Sequence, residues 1–531
     1  VLLPPSRRQA LRRTPPSHTA RAFASCPLET SDTAILRASG TCVANSPSFH
    51  RLSIMASKVS ALLAEFVGTY VLVFTVGCNA LSQSPAVWAP TSIACALMVM
   101  IYALGPVSGG HFNPAVSLAI GLADKFGGAC SGWDMVLAYM LAQIAGGSAA
   151  GFSYCAVFHA ELALGPQAPF GWWEAMVVEV LYTAMLVFVV LSVAASKRMN
   201  PGGRPSPVCA LAVGCVVVAG GHGAGPISGA AFNPAVACGI DISSFGYAKG
   251  WPQCVAYTVW QVWGSIVAVL LFKLTRPEDD LSESQLAIYQ PSLATKLASE
   301  FLGTFALVLS VGLNILGKSA ATAWSAAATL MCMVCALGDV SGAHFNPAVT
   351  LAVVLSKKGG CSLRDGFLYV VFQLTAGVLA GVCYCGLCNK QSIALGPQAG
   401  SSDNAAYFIE FVFTFVLAFV VLATACVKGN SSPLLRSYYV ALAIGSCVTA
   451  GGFAGGDVSG GVLNPAVAFG LAVPDVALSG GRMFYCVLYS LFQLLAGASA
   501  SLMFIGTHAS EHAAKPARSA PLFVPSPDHG Y

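Results

Sequence analysis

Residues 105–116 read GPVSGGHFNPAV, and the phrase returns as GPISGAAFNPAV at 225–236, GDVSGAHFNPAV at 338–349 and GDVSGGVLNPAV at 456–467. The Asn residues at 113, 233, 346 and 464 are separated by 120, 113 and 118 positions. A regular internal period marks a chain built from repeated structural units. A second phrase agrees with the first. Glu65-Phe66-Val67-Gly68-Thr69 reappears as Glu300-Phe301-Leu302-Gly303-Thr304, and Glu179-Val180-Leu181-Tyr182-Thr183 as Glu410-Phe411-Val412-Phe413-Thr414. The chain is therefore two copies of a unit, each made of two halves.

Between the phrases lie apolar runs. The 531 residues are 56% hydrophobic and 9% charged, with a mean hydropathy of +0.72, whereas a soluble domain carries about 25% charge. Twelve runs approach the ~20 residues needed to cross a bilayer: Val59–Leu81, Thr91–Leu104, 133–158, 173–195, 207–221, 252–274, 293–316, 322–337, 366–388, 405–427, 434–450 and 483–505. The fold class expected is an all-α polytopic membrane protein. Three spans per half is an odd number, so successive halves enter the membrane with opposite orientation, as in an inverted repeat.

Charge orients the chain. Loops on one side carry Lys125, Lys197, Arg198, Arg204, Lys273, Arg276, Lys296, Lys357, Lys358, Arg364, Lys428 and Arg436, against Lys249, Lys318, Lys390 and Arg482 on the other. The positive-inside rule places the first set and both termini in the cytoplasm. Expected boundaries are a leader at 1–54, a first unit at 55–274, a cytoplasmic linker at 275–292, a second unit at 293–507 and a disordered tail at 508–531. The Arg-, Ser- and Pro-rich leader fits a transit peptide or disordered segment, and Met55 offers itself equally as a start. Seven of the chain's basic residues lie there, so the net charge of +4 is no nucleic-acid footprint. Most of the nineteen Cys lie singly in apolar runs, and the one cluster, Cys383, Cys385 and Cys388, has no matching His or second Cys pair, so neither a disulfide framework nor a metal site is expected.

Asn is a preferred helix N-cap and Pro a preferred first residue, so Asn113-Pro114-Ala115, Asn233-Pro234-Ala235, Asn346-Pro347-Ala348 and Asn464-Pro465-Ala466 each read as a helix start. About ten residues at 1.5 Å rise give ~15 Å, half the hydrocarbon thickness. Opposite orientation makes the two half-helices of a unit meet N-terminus to N-terminus. The Gly-rich strings 105–112, 225–232, 338–345 and 456–463 then read as irregular backbone, tolerated at that depth where it lines a water-filled path. Their carbonyls accept, while the Asn amides and positive helix ends donate at the midpoint and repel cations.

With its paired Asn-Pro-Ala phrases, the stretch 58–507 resembles two fused members of the aquaporin and aquaglyceroporin family. The resemblance implies six transmembrane helices and two re-entrant half-helices per unit, one pore per unit, and four pores together, here from a homodimer. It also implies that Glu65, Glu179, Glu300 and Glu410 hold the pore loops; proton coupling is the other reading of an intramembrane Glu. By the family's spacing, the selectivity ring is Ile93, Gly221, Ala230 and Val236 in the first unit, and Ala326, Gly452, Gly461 and Val467 in the second. The family's usual Arg is replaced by Val236 and Val467. No ring residue is aromatic, His or charged, so a wide ring is expected, passing water and small neutral solutes such as glycerol, urea or ammonia without a cofactor. Asp339 and Asp457 stand where the first unit has Pro106 and Pro226, and read either as solvated loop carboxylates or as acidic vestibules of the second unit. His111 and His344 are expected to serve the hydrogen bonding of their loops. A twelve-span secondary transporter and a non-conducting scaffold are the competing functions. The sequence offers no nucleophile–base set or phosphate loop, which argues against an enzyme.

Overall fold

A computed structural model describes residues 47–83, 86–201, 209–244, 253–427 and 433–512. The leader up to residue 46 and the tail from 513 onward lie outside the described residues. Among the described residues twelve helices are long and apolar enough to cross a membrane, and none belongs to a β-strand. The first unit comprises α1 (Pro47–Leu81), α2 (Ala89–Ser108), the half-helix α3 (Pro114–Leu122), α4 (Trp133–Phe158), α5 (Trp172–Val190, extended by a π-helical turn to Ala195), α6 (Cys209–Ser228), the half-helix α7 (Pro234–Ser243) and α8 (Gln253–Thr275). A linker holds a 3-10 turn (Pro277–Asp280) and α9 (Glu283–Ile288). The second unit repeats the order: α10 (Leu293–Leu316), α11 (Thr322–Ser341), half-helix α12 (Pro347–Ser356), α13 (Leu363–Leu387), α14 (Asp403–Ala425), α15 (Pro433–Ser459), half-helix α16 (Pro465–Ser479) and α17 (Phe484–Thr507). A four-residue α18 (Ala509–His512) follows. The face from which α1 sets out is called the near face below.

Two expectations are corrected. The chain is already helical from Pro47, inside the stretch read as a leader. The Gly-rich strings are irregular over only half their length, because α2, α6, α11 and α15 continue to Ser108, Ser228, Ser341 and Ser459. In each case the following Gly stops the helix in the left-handed region, with φ of 97° at Gly109, 81° at Gly229, 95° at Gly342 and 91° at Gly460. Its N–H closes the last turn onto the carbonyl four residues back. A Gly-Pro or Gly-Asp pair in a last turn is thus compatible with helix, and each loop exposes four residues of carbonyls rather than eight.

Close packing explains the small residues of the middle helices. A Cβ on Gly147 or Gly151 of α4 would lie 2.3 Å from the carbonyl oxygen of Ala235 or Gly239 on α7. Gly377 of α13 meets the Ala466 carbonyl of α16 in the same way. The half-helices are therefore laid directly on the backbones of spanning helices. Between the units, α6 packs on α11, and α10 touches α6 and α8. The Ser325 hydroxyl donates to the Ala219 carbonyl (3.1 Å), Tyr182 and Ser310 share a hydrogen bond (3.0 Å), and Trp324 donates to Thr91 (3.1 Å).

Candidate functional site: two paired half-helix junctions

Each Asn of the repeated phrase caps its half-helix, accepting from the backbone N–H of the Ala two residues on at 2.8–2.9 Å. The amide group reaches across the junction. Asn113 donates to the Phe232 carbonyl (2.9 Å) and Asn233 to the Phe112 carbonyl (2.8 Å). In the second unit Asn346 donates to Leu463 and Asn464 to Phe345, both at 2.9 Å. These reciprocal bonds fix the half-helices N-terminus to N-terminus, and the second N–H of each amide is left for whatever occupies the junction.

The residue before each Asn carries strain. Phe112, Phe232, Phe345 and Leu463 have φ between 47° and 54°, a left-handed conformation that costs a side-chain-bearing residue about 1–3 kcal/mol. Its carbonyl is held by the opposite Asn, and its N–H by a buried Glu. Glu65 accepts from Ser108 (2.6 Å), His111 N–H (3.0 Å), Phe112 N–H (2.7 Å) and Gln143 (2.7 Å). Glu179 accepts from Ser228, Ala231 N–H, Phe232 N–H and Gln261. Glu300 takes Ser341, His344 N–H, Phe345 N–H and Gln373, and Glu410 takes Ser459, Val462 N–H, Leu463 N–H and Gln493. All four carboxylates are fully buried, so four donors apiece are what makes their burial tolerable.

Two partners of these cages were not singled out from the sequence. Gln143, Gln261, Gln373 and Gln493 lie one helical turn after Tyr139, Tyr257, Tyr369 and Tyr489, whose hydroxyls donate to the carbonyls of Ser108, Ser228, Ser341 and Ser459. Tyr-x-x-x-Gln is thus a third phrase repeated four times, and its period could have found them. His111 and His344 bond to Ser117 and Thr350 at 3.0 and 3.1 Å, as expected of loop-holding imidazoles.

The first unit contains a cavity of about 1770 Å³ lined by Asn113, Asn233, Ile93, Gly221, Ala230 and Val236 together. The second contains one of about 560 Å³ lined by Asn346, Asn464, Ala326, Gly452, Gly461 and Val467. Both sequence-derived rings are therefore brought to the same passage as their Asn pairs. The Pro and Ala of each phrase are buried away from it, with Ala115, Ala235, Ala348 and Ala466 fully enclosed. Gly221 and Gly452 have a second duty. A Cβ there would lie 2.7 Å from Pro90 and 2.6 Å from Ala323, so the absent side chain permits helix contact as well as width.

Asp339 departs from its expectation. It is held by the buried Arg276 at 2.7 and 3.0 Å and faces Arg198 at 3.5 Å, so its charge is neutralised at the junction of the units. Asp457 is exposed and lines the second cavity.

Comparison with known proteins agrees with the architecture. The model of the family described as major intrinsic protein matches residues 53–252 and 312–485. Aquaporin NIP1-1 of Zea mays is 31% identical over 45% of this chain and 85% of its own length, and Aquaporin NIP2-1 of Oryza sativa subsp. japonica is 34% identical over 42% of this chain and 72% of its own. Each relative thus corresponds to about one unit. The structure of the aquaglyceroporin from Plasmodium falciparum covers 42% of this chain and all of its own, at 22% identity and a TM-score of 0.37, a score that adds nothing to the assignment. The chain is an integral, multi-pass member of the major intrinsic protein family of membrane channels, carrying two units in tandem.

Proposed function

We propose that each unit is a passive channel, and that the two pass water together with small neutral solutes such as glycerol, urea or ammonia. The observation that carries this reading is the first unit's cavity, which passes both Asn residues and a ring of Ile93, Gly221, Ala230 and Val236. With no charged, aromatic or hydroxyl side chain in that ring, backbone carbonyls and the Asn amides are the groups that can replace a permeant's hydration there. Absence of the fixed Arg charge widens the passage and leaves cation exclusion to the paired half-helix ends. The four Glu residues hold the loops, and the near face is cytoplasmic.

The arrangement of the units supports a homodimer with four pores. Spans Trp172–Ala195, Cys209–Ser228, Leu293–Leu316 and Thr322–Ser341 are 61–78% buried, whereas their repeat counterparts Asp403–Ala425, Tyr439–Ser459, Ser57–Leu81 and Ala86–Ser108 are 17–39% buried. A second copy placed by the same packing covers those bare faces in pairs and closes a ring.

Stopped-flow light scattering on proteoliposomes tests the function, comparing water and glycerol permeability of the parent with Asn233→Trp, Asn464→Trp and the double variant. Loss of both fluxes only in the double variant is the expected result. Flux no greater than empty liposomes for the folded parent would overturn it.

A further inference from the structure

We infer that the linker between the units is a latched lid on the near-face mouth of the first pore. The inference rests on the channel reading and adds a means of regulation at the first pore.

The base of the linker is anchored. Arg276, buried at the end of α8, binds both carboxylate oxygens of Asp339 and donates to the Ala336 carbonyl at 2.6 Å. A few residues on, Asp279 is 3% exposed and pairs with Lys125 at 2.6 Å. It also accepts from the Lys197 backbone N–H at 3.1 Å, while the Lys197 ammonium donates to the Leu281 carbonyl at 3.0 Å. Lys125 follows half-helix α3 and Lys197 follows α5, so both latch residues belong to the rim of the mouth.

Beyond the latch lies α9. Glu283, Leu286 and Ala287, spaced i, i+3 and i+4, form one helical face, and all three line the cavity that contains Asn113 and Asn233. Leu286 is half-buried and the rest of the helix is exposed, with Ile288 at 81%. Its shape is self-contained, because Ser282 and Gln285 form a reciprocal capping box. A short helix that carries its own cap and turns one face to the mouth moves as a unit when the contacts at its base let go. Those contacts are the ion pair and two hydrogen bonds at Asp279 and Leu281, since the Arg276–Asp339 pair binds the preceding residues to the second unit.

Lys358, in register with Lys125, donates to the backbone carbonyl of Glu511, in register with Asp279. No residue from 509–512 lines the second cavity.

The test uses the full chain with the second pore blocked by Asn464→Trp and a reporter thiol at Ala129→Cys, a half-buried position lining the same cavity as Glu283, Leu286 and Ala287. Asp279→Asn and Lys125→Met each remove the latch, while Lys125→Arg keeps it. In detergent, the rate at which a bulky hydrophilic maleimide modifies residue 129 is read by peptide mass, and glycerol permeability is read in proteoliposomes. The expected result is a several-fold faster modification and a several-fold higher permeability for Asp279→Asn and Lys125→Met, with Lys125→Arg like the parent. Unchanged modification rates in both unlatched variants would overturn the lid. Faster modification with no glycerol flux from any variant would leave the lid standing and sink the channel reading instead. Two unlatching variants are used so that misfolding of one, seen on size exclusion, still leaves a decisive comparison.

Discussion

The two units have the same internal skeleton and different passages. The Ser–Glu bond of the buried cage is 2.6 Å in three halves and 2.7 Å in the fourth, and the cross-junction Asn bonds are 2.8–2.9 Å throughout. The cavities nevertheless differ, at about 1770 and 560 Å³, and so does the linker that borders the first alone. The residues that repeat are those that satisfy buried polar groups, where a missing partner is costly. The residues that vary, Ile93 against Ala326 and Pro106 against Asp339, lie where solvent or a neighbouring unit can compensate. Repetition in this chain therefore marks what holds the pores, and divergence marks what distinguishes them.

The strongest way to break that statement is to remove a cage. Glu65→Ala and Glu300→Ala each orphan four buried donors, at about 1–3 kcal/mol per donor, and should abolish monodisperse protein in detergent to the same degree. Thermal unfolding followed by size exclusion reads the outcome, and a large difference between the two variants would show that the units do not share one skeleton. Glu→Gln at the same positions keeps one acceptor oxygen and should be milder in both.

The next comparison concerns the covered and bare faces. Ser325 and Ser92 occupy equivalent positions, each accepting from its unit's Asn (Asn314 and Asn79) at 2.9 and 3.0 Å, but Ser325 also donates across the junction of the units. Ser325→Arg forces a cation into that junction and should lower the unfolding temperature sharply. Ser92→Arg should leave the fold intact and convert a two-chain particle to one chain by light-scattering mass. If Ser92→Arg retains the parent's particle mass, the bare face is not where a second copy docks.

Much of this was legible in the sequence, because a twelve-residue phrase repeated four times fixes span number, orientation and half-helices at once. The cages were half legible. Each Glu stands in an apolar run and attracts attention as a buried charge, whereas its Gln partner lies on another helix, more than twenty residues past the Asn, and one amide in a spanning helix gives no signal alone. The helical last turns before each loop were misread for a local reason. Gly-Pro and Gly-Asp punctuate loops in general, and only the left-handed Gly after Ser108 and its counterparts shows where the helix actually stops. The linker network was least legible. Arg276, Lys125 and Lys197 entered as topology signals, and nothing along the chain says which acids they meet.

The passages themselves are distinguished by filling the rings. Val236→Arg and Val467→Arg project a long cation beside the junction, and each should reduce glycerol permeability more than water permeability. In the single-pore backgrounds used above, Val467→Arg should suppress flux through the smaller cavity nearly completely, while Val236→Arg leaves a measurable remainder. Equal and complete block in both would mean that the ring, not the cavity around it, sets the flux.

The smallest expected effect is confined to the first unit. Glu278 is fully buried beside Arg276, 3.7 Å away, with Arg198 and Asp339 also near. Burial pushes its carboxyl above the ordinary Glu value, against the lowering pull of its own backbone N–H and the two Arg charges. A folded-state value above the unfolded one means that the native protein binds the proton more readily. The stabilisation from this group is complete below the unfolded value of about 4.3 and is lost as pH rises through the folded one. Glu278→Gln cannot titrate, so it should match the parent at low pH and be the more stable of the two near neutrality. The register-equivalent residue of the second unit is Ser510, which has no such titration. Unfolding temperatures of parent and Glu278→Gln should therefore converge toward pH 4 and separate above it. A constant offset across the range would mean that Glu278 keeps the same proton affinity in the folded and unfolded chain, and that the junction of the units is indifferent to pH.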